Sequence, residues 1–316
     1  MSRYLVLAGG LSHERDVSLR SGRRVLDALH RVDVDADLRD ADAGLLDALT
    51  SGGYDAVLVA LHGGPGEDGS LREVLELAGV PYVGSQPSAC RMAWDKPTAK
   101  AVAARAGLTT PHAAVLPHAT FRELGAGAVI EHLVAHLGLP LMVKPARGGS
   151  ALGATAVTEA AALPSAMVTC FSYGEAALVE QLVSGTELAV TVVDTGDGPR
   201  ALPAVEVRPL SGVYDYAARY TAGATEYFVP ARLSDDIAAE VARCAVAAHE
   251  ALDLRDLSRV DLVVESPSGG GAVHLLEVNV SPGMTETSLL PMAVEAAGLS
   301  FGELLRELLE QAVGRG

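Results

Sequence analysis

Apolar residues fill Tyr4 to Ala8, stop at Gly9-Gly10, and then recur with helical spacing from Val17 to Leu29. A short unbroken run followed by a 3.6-residue period predicts strand, loop and helix. The pattern repeats in Ala56 to Leu61, which ends in His62-Gly63-Gly64-Pro65-Gly66 and leads into a helical stretch from Ser70 to Ala78. Pro81 to Gly84 reads as one more short strand. Such alternation predicts a parallel, Rossmann-like sheet with its sites at the carboxyl ends of the strands.

Asp95 to Ala106 is helical with an apolar face made mostly of Ala, and the texture changes after Gly107 and Pro111. Short strands are expected at Ala113 to Leu116, Leu141 to Val143, Ala177 to Gln181 and Leu188 to Val193. The first three predict a small α+β lobe running to about Leu182, and the fourth opens a third lobe. Strands near Val205, Tyr227 and Leu262, the Ala-rich helix Asp235 to Ala251, and the strand Val273 to Val278 would complete it. Residues 1–95, 96–182 and 183–316 are the three expected lobes. Ser266 to Gly271 reads as a solvated hairpin tip.

Composition narrows the chemistry. Of 316 residues, 49% are apolar but only 4% are aromatic, so the cores must be built from Ala, Val and Leu. A formal net charge of -16 speaks against general affinity for nucleic acid or anionic membrane, both of which need a basic face. Any phosphate must be met by a few placed groups. Cys90, Cys170 and Cys244 stand far apart without a CxxC pair, and are expected as buried small hydrophobes in a reducing compartment. No run approaches membrane-spanning length, and the expected location is the cytoplasm.

Two segments carry candidate chemistry. Arg259 and Asp261, and likewise Glu277 and Asn279, are two residues apart on apolar strands, so each pair projects from one face. Antiparallel pairing would gather all four. Two carboxylates and a carboxamide oxygen form a hard, oxygen-only set suited to magnesium, although a salt-bridged solvent face has the same spacing. The second segment, Lys144-Pro145-Ala146-Arg147-Gly148-Gly149-Ser150-Ala151-Leu152-Gly153, ends an apolar strand in a lysine and opens a glycine-rich loop. Its backbone N–H groups, the Ser150 hydroxyl and the Lys144 charge suit phosphate, and an ordinary glycine turn is the competing reading.

Together with "LAGGLSHERDVSLRSG", "LHGGPGEDGSL", "PYVGS", "DKPTAK", "VKPARGGSALG", "LVEQLVSGTEL", "YDYAARYTAGATEY", "SRVDLVVE" and "LLEVNVSPGMTETSLLP", these segments resemble the D-alanine–D-alanine ligase family of ATP-grasp enzymes over nearly the full length. The resemblance implies a three-lobed ATP-grasp architecture, α/β and α+β, that joins two D-alanines through an acyl phosphate for peptidoglycan precursors. It implies that Lys96, Lys144 and Arg219 hold the ATP phosphates, Glu180 and Leu182 the adenine edge, and Glu187 the ribose. Asp261, Glu277 and Asn279 would bind two Mg2+ ions, with Mn2+ as a substitute. Glu14 would fix the first D-alanine's ammonium with His62 close by, and Arg259 would stabilise the developing charge. Ser150 and Tyr220 would link Glu14 to a lid at Tyr214 to Glu226, while Gly283 and Ser288 would receive the second D-alanine's carboxylate. A homodimer is implied as well.

Arg219 stands where the family commonly has lysine, Ala151 where it often has a second serine, and His13 beside Glu14 replaces a small residue. These departures admit an ATP-grasp ligase of different amino-acid preference, and Tyr220 argues for D-alanine over a hydroxy acid. A nucleotide-binding regulator that keeps only the fold is the reading of a different class, and the intact metal set argues against it. Taken singly, Glu14 also suits the first turn of a helix, and His62 a structural role. His132, His136 and His249 read as helix-surface residues and Trp94 as core.

Overall fold

The computed structural model describes every residue except 1, 211, 213, 215–217, 220, 222 and 267–270. Its first sheet is parallel, with β1 (Arg3–Ala8), β2 (Asp35–Asp40), β3 (Ala56–Val59) and β4 (Tyr82–Val83) in the order β2-β1-β3-β4. Helices α1 (Arg15–His30), α2 (Leu45–Ser51) and α3 (Ser70–Leu77) connect them. β2, of sequence DADLRD, is too polar for a hydrophobic pattern to find. It is an edge strand in register with all of β1, and only its Ala36 is buried. Backbone pairing with an apolar neighbour holds it, together with polar contacts of Asp37 to Arg3 and Tyr54 and of Asp40 to Arg15.

The central sheet is antiparallel: β5 (Ala113–Pro117), β6 (Leu141–Pro145), β7 (Thr155–Val157) and β8 (Ala176–Gln181), in the order β5-β8-β6-β7. Leu141, Val143 and Val179 pack against Leu133, Leu163 and Met167 from the helices Ala126–Leu137 and Leu163–Phe171.

In the third sheet the order is β12-β11-β9-β13-β14, with β10 (Arg200–Ala201) beside β9. Its strands are β9 (Gly185–Val193), β11 (Val205–Pro209), β12 (Thr225–Phe228), β13 (Leu257–Glu265) and β14 (Val273–Asn279). Both faces of β9 are covered, as its period of two requires. Leu188, Val190 and Val192 meet the helices Pro87–Trp94, Lys96–Arg105 and Asp235–Ala251, whereas Ala189 and Val193 face Leu289–Ala296, Phe301–Val313 and the first sheet. The expected alanine face is the contact of the second of these helices, through Ala99 and Ala103.

A buried carboxylate fastens the first sheet to the third. Asp256, 1% exposed, accepts the Gly84 N–H at 2.6 Å and pairs with Arg315 Nη1 at 2.7 Å. All three cysteines are buried and free, as expected, and His132 and His136 are exposed. Two expectations fail. Trp94 is half-buried and lines the clefts below. His249 is 1% exposed, its Nδ1 2.8 Å from Ser258 Oγ, because the inner face of its Ala-rich helix leaves room for a ring. Among the described residues, no helix is long and apolar enough to cross a membrane.

Candidate active site

β13 and β14 pair with Arg259 opposite Asn279 and Asp261 opposite Glu277, the four-residue cluster expected from their spacing. A register shift follows Asp261. Arg259 grips Asp261 within the strand, Nε to Oδ1 at 2.7 Å and Nη2 to Oδ2 at 2.8 Å. Burial works against the charge of Arg259, but Asp261 and Glu277 hold its pKa above the ordinary arginine value. Asn279 Oδ1 accepts the Ser281 N–H at 2.8 Å. Burial alone would raise the pKa of Glu277, yet Lys96, Lys144, Arg219 and Arg259 bring it down to about 2. The cluster is therefore a charged cleft floor and not a solvent face.

Beside this floor, a cleft opens between the central and third sheets. Lys144 is the penultimate residue of β6 and Glu180 lies on the adjacent β8, their charged groups 2.6 Å apart. Lys100 closes on the same carboxylate at 2.9 Å and on Leu275 O at 3.2 Å. Burial lowers the pKa of Lys100 to about 8, and Glu180 opposes that fall. With Glu180 2% exposed and held by two lysines, its side chain is not free to read an adenine edge. The Leu182 N–H is likewise spent, donated to Pro140 O at 3.0 Å. The next residue, Val183, lines the cleft and has no hydrogen-bond partner among the described residues. Glu187 lines it too, its pKa raised by burial despite Arg219. Arg219 lies over the Tyr214 ring, 4.4 Å from the centroid.

A second cleft continues from the first past Lys96, Gly148, Gly149 and Glu277, which line both. Lys96 Nζ donates to Gly148 O at 2.6 Å and stands 3.7 Å from Glu277. Burial lowers its pKa and Glu277 resists. At the far end, Glu14 is 6% exposed just before α1, and Ser150 Oγ donates to its Oε1. A side chain at Gly63 would strike this carboxylate, and one at Gly149 would crowd it. Ser150 and Ala151 take φ of 52° and 56°, a left-handed turn that non-glycine residues enter at a cost. The loop accepts that cost in aiming Ser150 at Glu14. Tyr220, expected to join them, lies outside the described residues, as does much of the expected lid and of the hairpin tip.

His62 lines the cleft with Glu14, as expected. Its Nδ1 is 3.0 Å from Ser281 O, which only accepts, and its Nε2 is 2.8 Å from Ser21 Oγ. Nδ1 therefore carries the hydrogen, and both nitrogens are occupied. Burial pushes the ring pKa down to about 4. His62 reaches the cleft as a neutral ring with both nitrogens partnered, bracing α1 against the segment after β14. Nearby, Ser288 immediately precedes the helix Leu289–Ala296, and its Oγ accepts the Thr285 N–H at 2.9 Å. A side chain at Gly283 would meet that Oγ. The helix end favours a carboxylate beside these two residues.

Residues 102–310 match the family model described as D-ala D-ala ligase C-terminus. The D-alanine–D-alanine ligase of Bordetella petrii is 41% identical over 307 residues, covering 97% of this chain and 91% of that protein. This chain belongs to the D-alanine–D-alanine ligase family. The Anaeromyxobacter sp. (strain K) member is also 41% identical, over 98% of this chain and 96% of its own. Among solved structures, the Bacillus anthracis D-alanine–D-alanine ligase superposes with TM-score 0.82 at 29% identity, covering 100% of this chain and 98% of that one. The VanG D-Ala:D-Ser ligase of Enterococcus faecalis gives TM-score 0.82 at 27% identity, covering 99% and 100%. The fold is that of these ATP-grasp ligases, with the parallel first sheet and two antiparallel ones.

Within this family frame, Glu67 and Val183 of the clefts, and Lys100 beside Glu180, went unremarked in the sequence. Glu67 and Lys100 sit inside "LHGGPGEDGSL" and "DKPTAK", and a charged residue inside a glycine or alanine run was the available signal. Val183 is an ordinary apolar residue after a strand, so its residue type could not have announced it.

Proposed function

We propose that this chain is an ATP-dependent ligase that joins two D-alanines into D-alanyl-D-alanine for peptidoglycan synthesis. The observation that carries it is the meeting of the two clefts at Lys96 and Glu277: one is lysine-rich and partly apolar, the other ends in Glu14 and Ser288. ATP would lie in the first and the amino acids in the second, so that the γ-phosphate and a carboxylate meet at the junction.

Lys96, Lys144 and Arg219 would hold the phosphates, Val183 the adenine edge and Glu187 the ribose. Glu14 would hold the first ammonium, and Gly283 with Ser288 the second carboxylate. The donor set is hard and oxygen-only, with Asp261 facing Glu277 across the strands, and it fits a divalent cation. Among the described residues, no three of His, Cys, Asp and Glu gather as a metal group, so Asn279 completes the set. Asp261, Glu277 and Asn279 would hold two magnesium ions, with manganese as a substitute, and these would screen phosphate charge.

A carboxylate is a poor acyl donor, and phosphorylation by ATP converts the first D-alanine to an acyl phosphate. Arg259 would stabilise charge on the attacked carbonyl oxygen as the second amine adds and phosphate leaves. The acyl phosphate must be shielded from water, a task for the segment 214–226 closing over it. In this reading residues 1–95, 96–182 and 183–316 form the three lobes, and the protein works in the cytoplasm as a homodimer.

Phosphate release from Mg-ATP tests the proposal, run against common amino acids and their D-forms with products identified by mass. D-alanine dependence and the D-alanine dipeptide are expected. Turnover with another amino acid instead would overturn the substrate assignment and tie Arg219, Ala151 and His13 to a changed preference.

A further inference from the structure

The amino-acid cleft contains a second buried carboxylate besides Glu14. Glu67 is 6% exposed, follows the turn Gly64–Gly66, and lines the cleft with Glu14 and Arg259. Its Oε1 accepts the Gly63 N–H at 2.9 Å, and its other oxygen has no hydrogen-bond partner among the described residues. Glu14 occupies the opposite side of the same glycine, where a side chain on Gly63 would strike its Oε2. The two carboxylates therefore flank one residue. From behind, the fully buried Arg72 of α3 donates from Nη1 to Gly66 O at 2.5 Å and fixes the turn that aims Glu67 inward.

Two buried carboxylates facing one cleft need a cation between them or a proton on one of them. Arg259, the nearest strong cation on β13, is already gripped at two points by Asp261. Lys96 at the start of its helix is engaged by Gly148 O and Glu277. His62 is neutral and fully partnered. Asp68 and Arg72 belong to Glu67's own stretch of chain, and Glu277 lines the cleft opposite. Arg219, the other cation lining the cleft, lies over the Tyr214 ring, so among the described residues each of these groups already has a partner of its own.

We infer that Glu67 is a second anchor for the ammonium of the first amino acid, protonated in the empty cleft and giving its proton to solvent as the substrate enters between it and Glu14. The balance is simple: Glu67 carboxylic acid plus a cationic amine becomes a carboxylate–ammonium pair, and one proton leaves. Burial, followed by the nearby charge of Glu14, raises Glu67's pKa to about 8, in keeping with a proton held at neutral pH. The inference rests on the amino-acid reading of this cleft, but needs only the ammonium and not D-alanine itself.

Calorimetric titration of D-alanine into the full chain tests it, with magnesium and a non-hydrolysable ATP analogue present, at pH 7 in two buffers of different ionisation enthalpy. Wild type should release about one proton at the first site. Its Kd should fall about tenfold per pH unit between pH 6 and 7.5 and level off near 8. Glu67→Gln should abolish the proton release, flatten the pH profile and raise that Kd at least ~10-fold, while leaving the Kd for the ATP analogue unchanged. Should this variant fold poorly, the wild-type proton count and pH profile decide alone. No proton release by wild type, or the same release by Glu67→Gln, would overturn the inference. Repeating the titration with whichever amino acid supports ATP turnover separates this failure from a failure of the D-alanine assignment.

Discussion

Arg259 and Asp261 are locked together within one strand by two charge-assisted hydrogen bonds of 2.7 and 2.8 Å. The pair does more than neutralise charge. It fixes the plane of a buried guanidinium whose remaining N–H groups face the cleft, and it orients a carboxylate that lies directly opposite Glu277. A planar fork gives two-point geometry that an ammonium cannot reproduce. Arg259→Lys is therefore expected to keep the charge and lower ligase turnover by about 10²-fold or more, the typical effect of losing one aimed donor. The readout is phosphate release at saturating ATP and amino acid, and wild-type turnover in the lysine variant would show that the fork is dispensable.

The Lys100–Glu180–Lys144 chain predicts an asymmetry in stability. Removing Lys100 leaves Glu180 paired with Lys144 at 2.6 Å, whereas removing the Glu180 charge strands two buried ammonium groups beside each other. Breaking a buried pair from the side that leaves charge uncompensated costs roughly 3–5 kcal/mol. Glu180→Gln is thus expected to lower the urea midpoint well beyond Lys100→Met, and the double variant to recover part of the loss because one stranded charge is gone. Equal midpoints for the two single variants would count against this account.

How much of this was legible beforehand depends on where each determinant resides. β1 and β3 are apolar runs ended by glycines, so period and punctuation suffice to find them. Likewise the 259/261 and 277/279 spacings encode a shared face, and antiparallel pairing then fixes the cluster. β2 was invisible because it pairs with β1 and its Asp37 and Asp40 find Arg3 and Arg15 only in the folded chain, neither of which shows as a hydrophobic pattern. The side chain of Glu180 looked available because its two lysines come from positions 80 and 36 residues earlier, a contact that only the packed sheets create. His62 and His249 could not be told from surface or catalytic rings, since their partners Ser281 and Ser258 arrive through tertiary packing.

Buried His249 gives the protein a specific acid sensitivity. Burial lowers its pKa to about 4, against about 6.5 for an unfolded histidine. Between those values the unfolded chain takes up a proton that the folded one refuses. Stability is therefore lost as pH falls from 6.5 to 4, by at most about 3 kcal/mol, with no contribution above 6.5 and no further loss below 4. His249→Gln removes this term. It should be less stable than wild type at pH 7.5, through the lost Ser258 contact, yet show a shallower decline in urea-unfolding free energy down to pH 5. An unchanged slope would mean that the ring charges readily in the folded state.

Arg219 and Tyr214 bear on nucleotide affinity through the stack they form, with the guanidinium 4.4 Å from the ring centroid and both residues lining the two clefts. The ring contact and a hydrogen bond from Arg219 Nε to Tyr214 O at 3.4 Å hold the guanidinium together, so it meets phosphate already ordered. Lysine keeps the charge and loses the flat contact, worth about 0.5–2 kcal/mol. Arg219→Lys should accordingly raise the KM for ATP by about 2- to 30-fold, and Tyr214→Leu should do the same by removing the other half of the stack. Because both act through one contact, the double variant should be little worse than either single one. Fully additive losses would instead mean that the two side chains touch the nucleotide independently and that their stacking does nothing for binding.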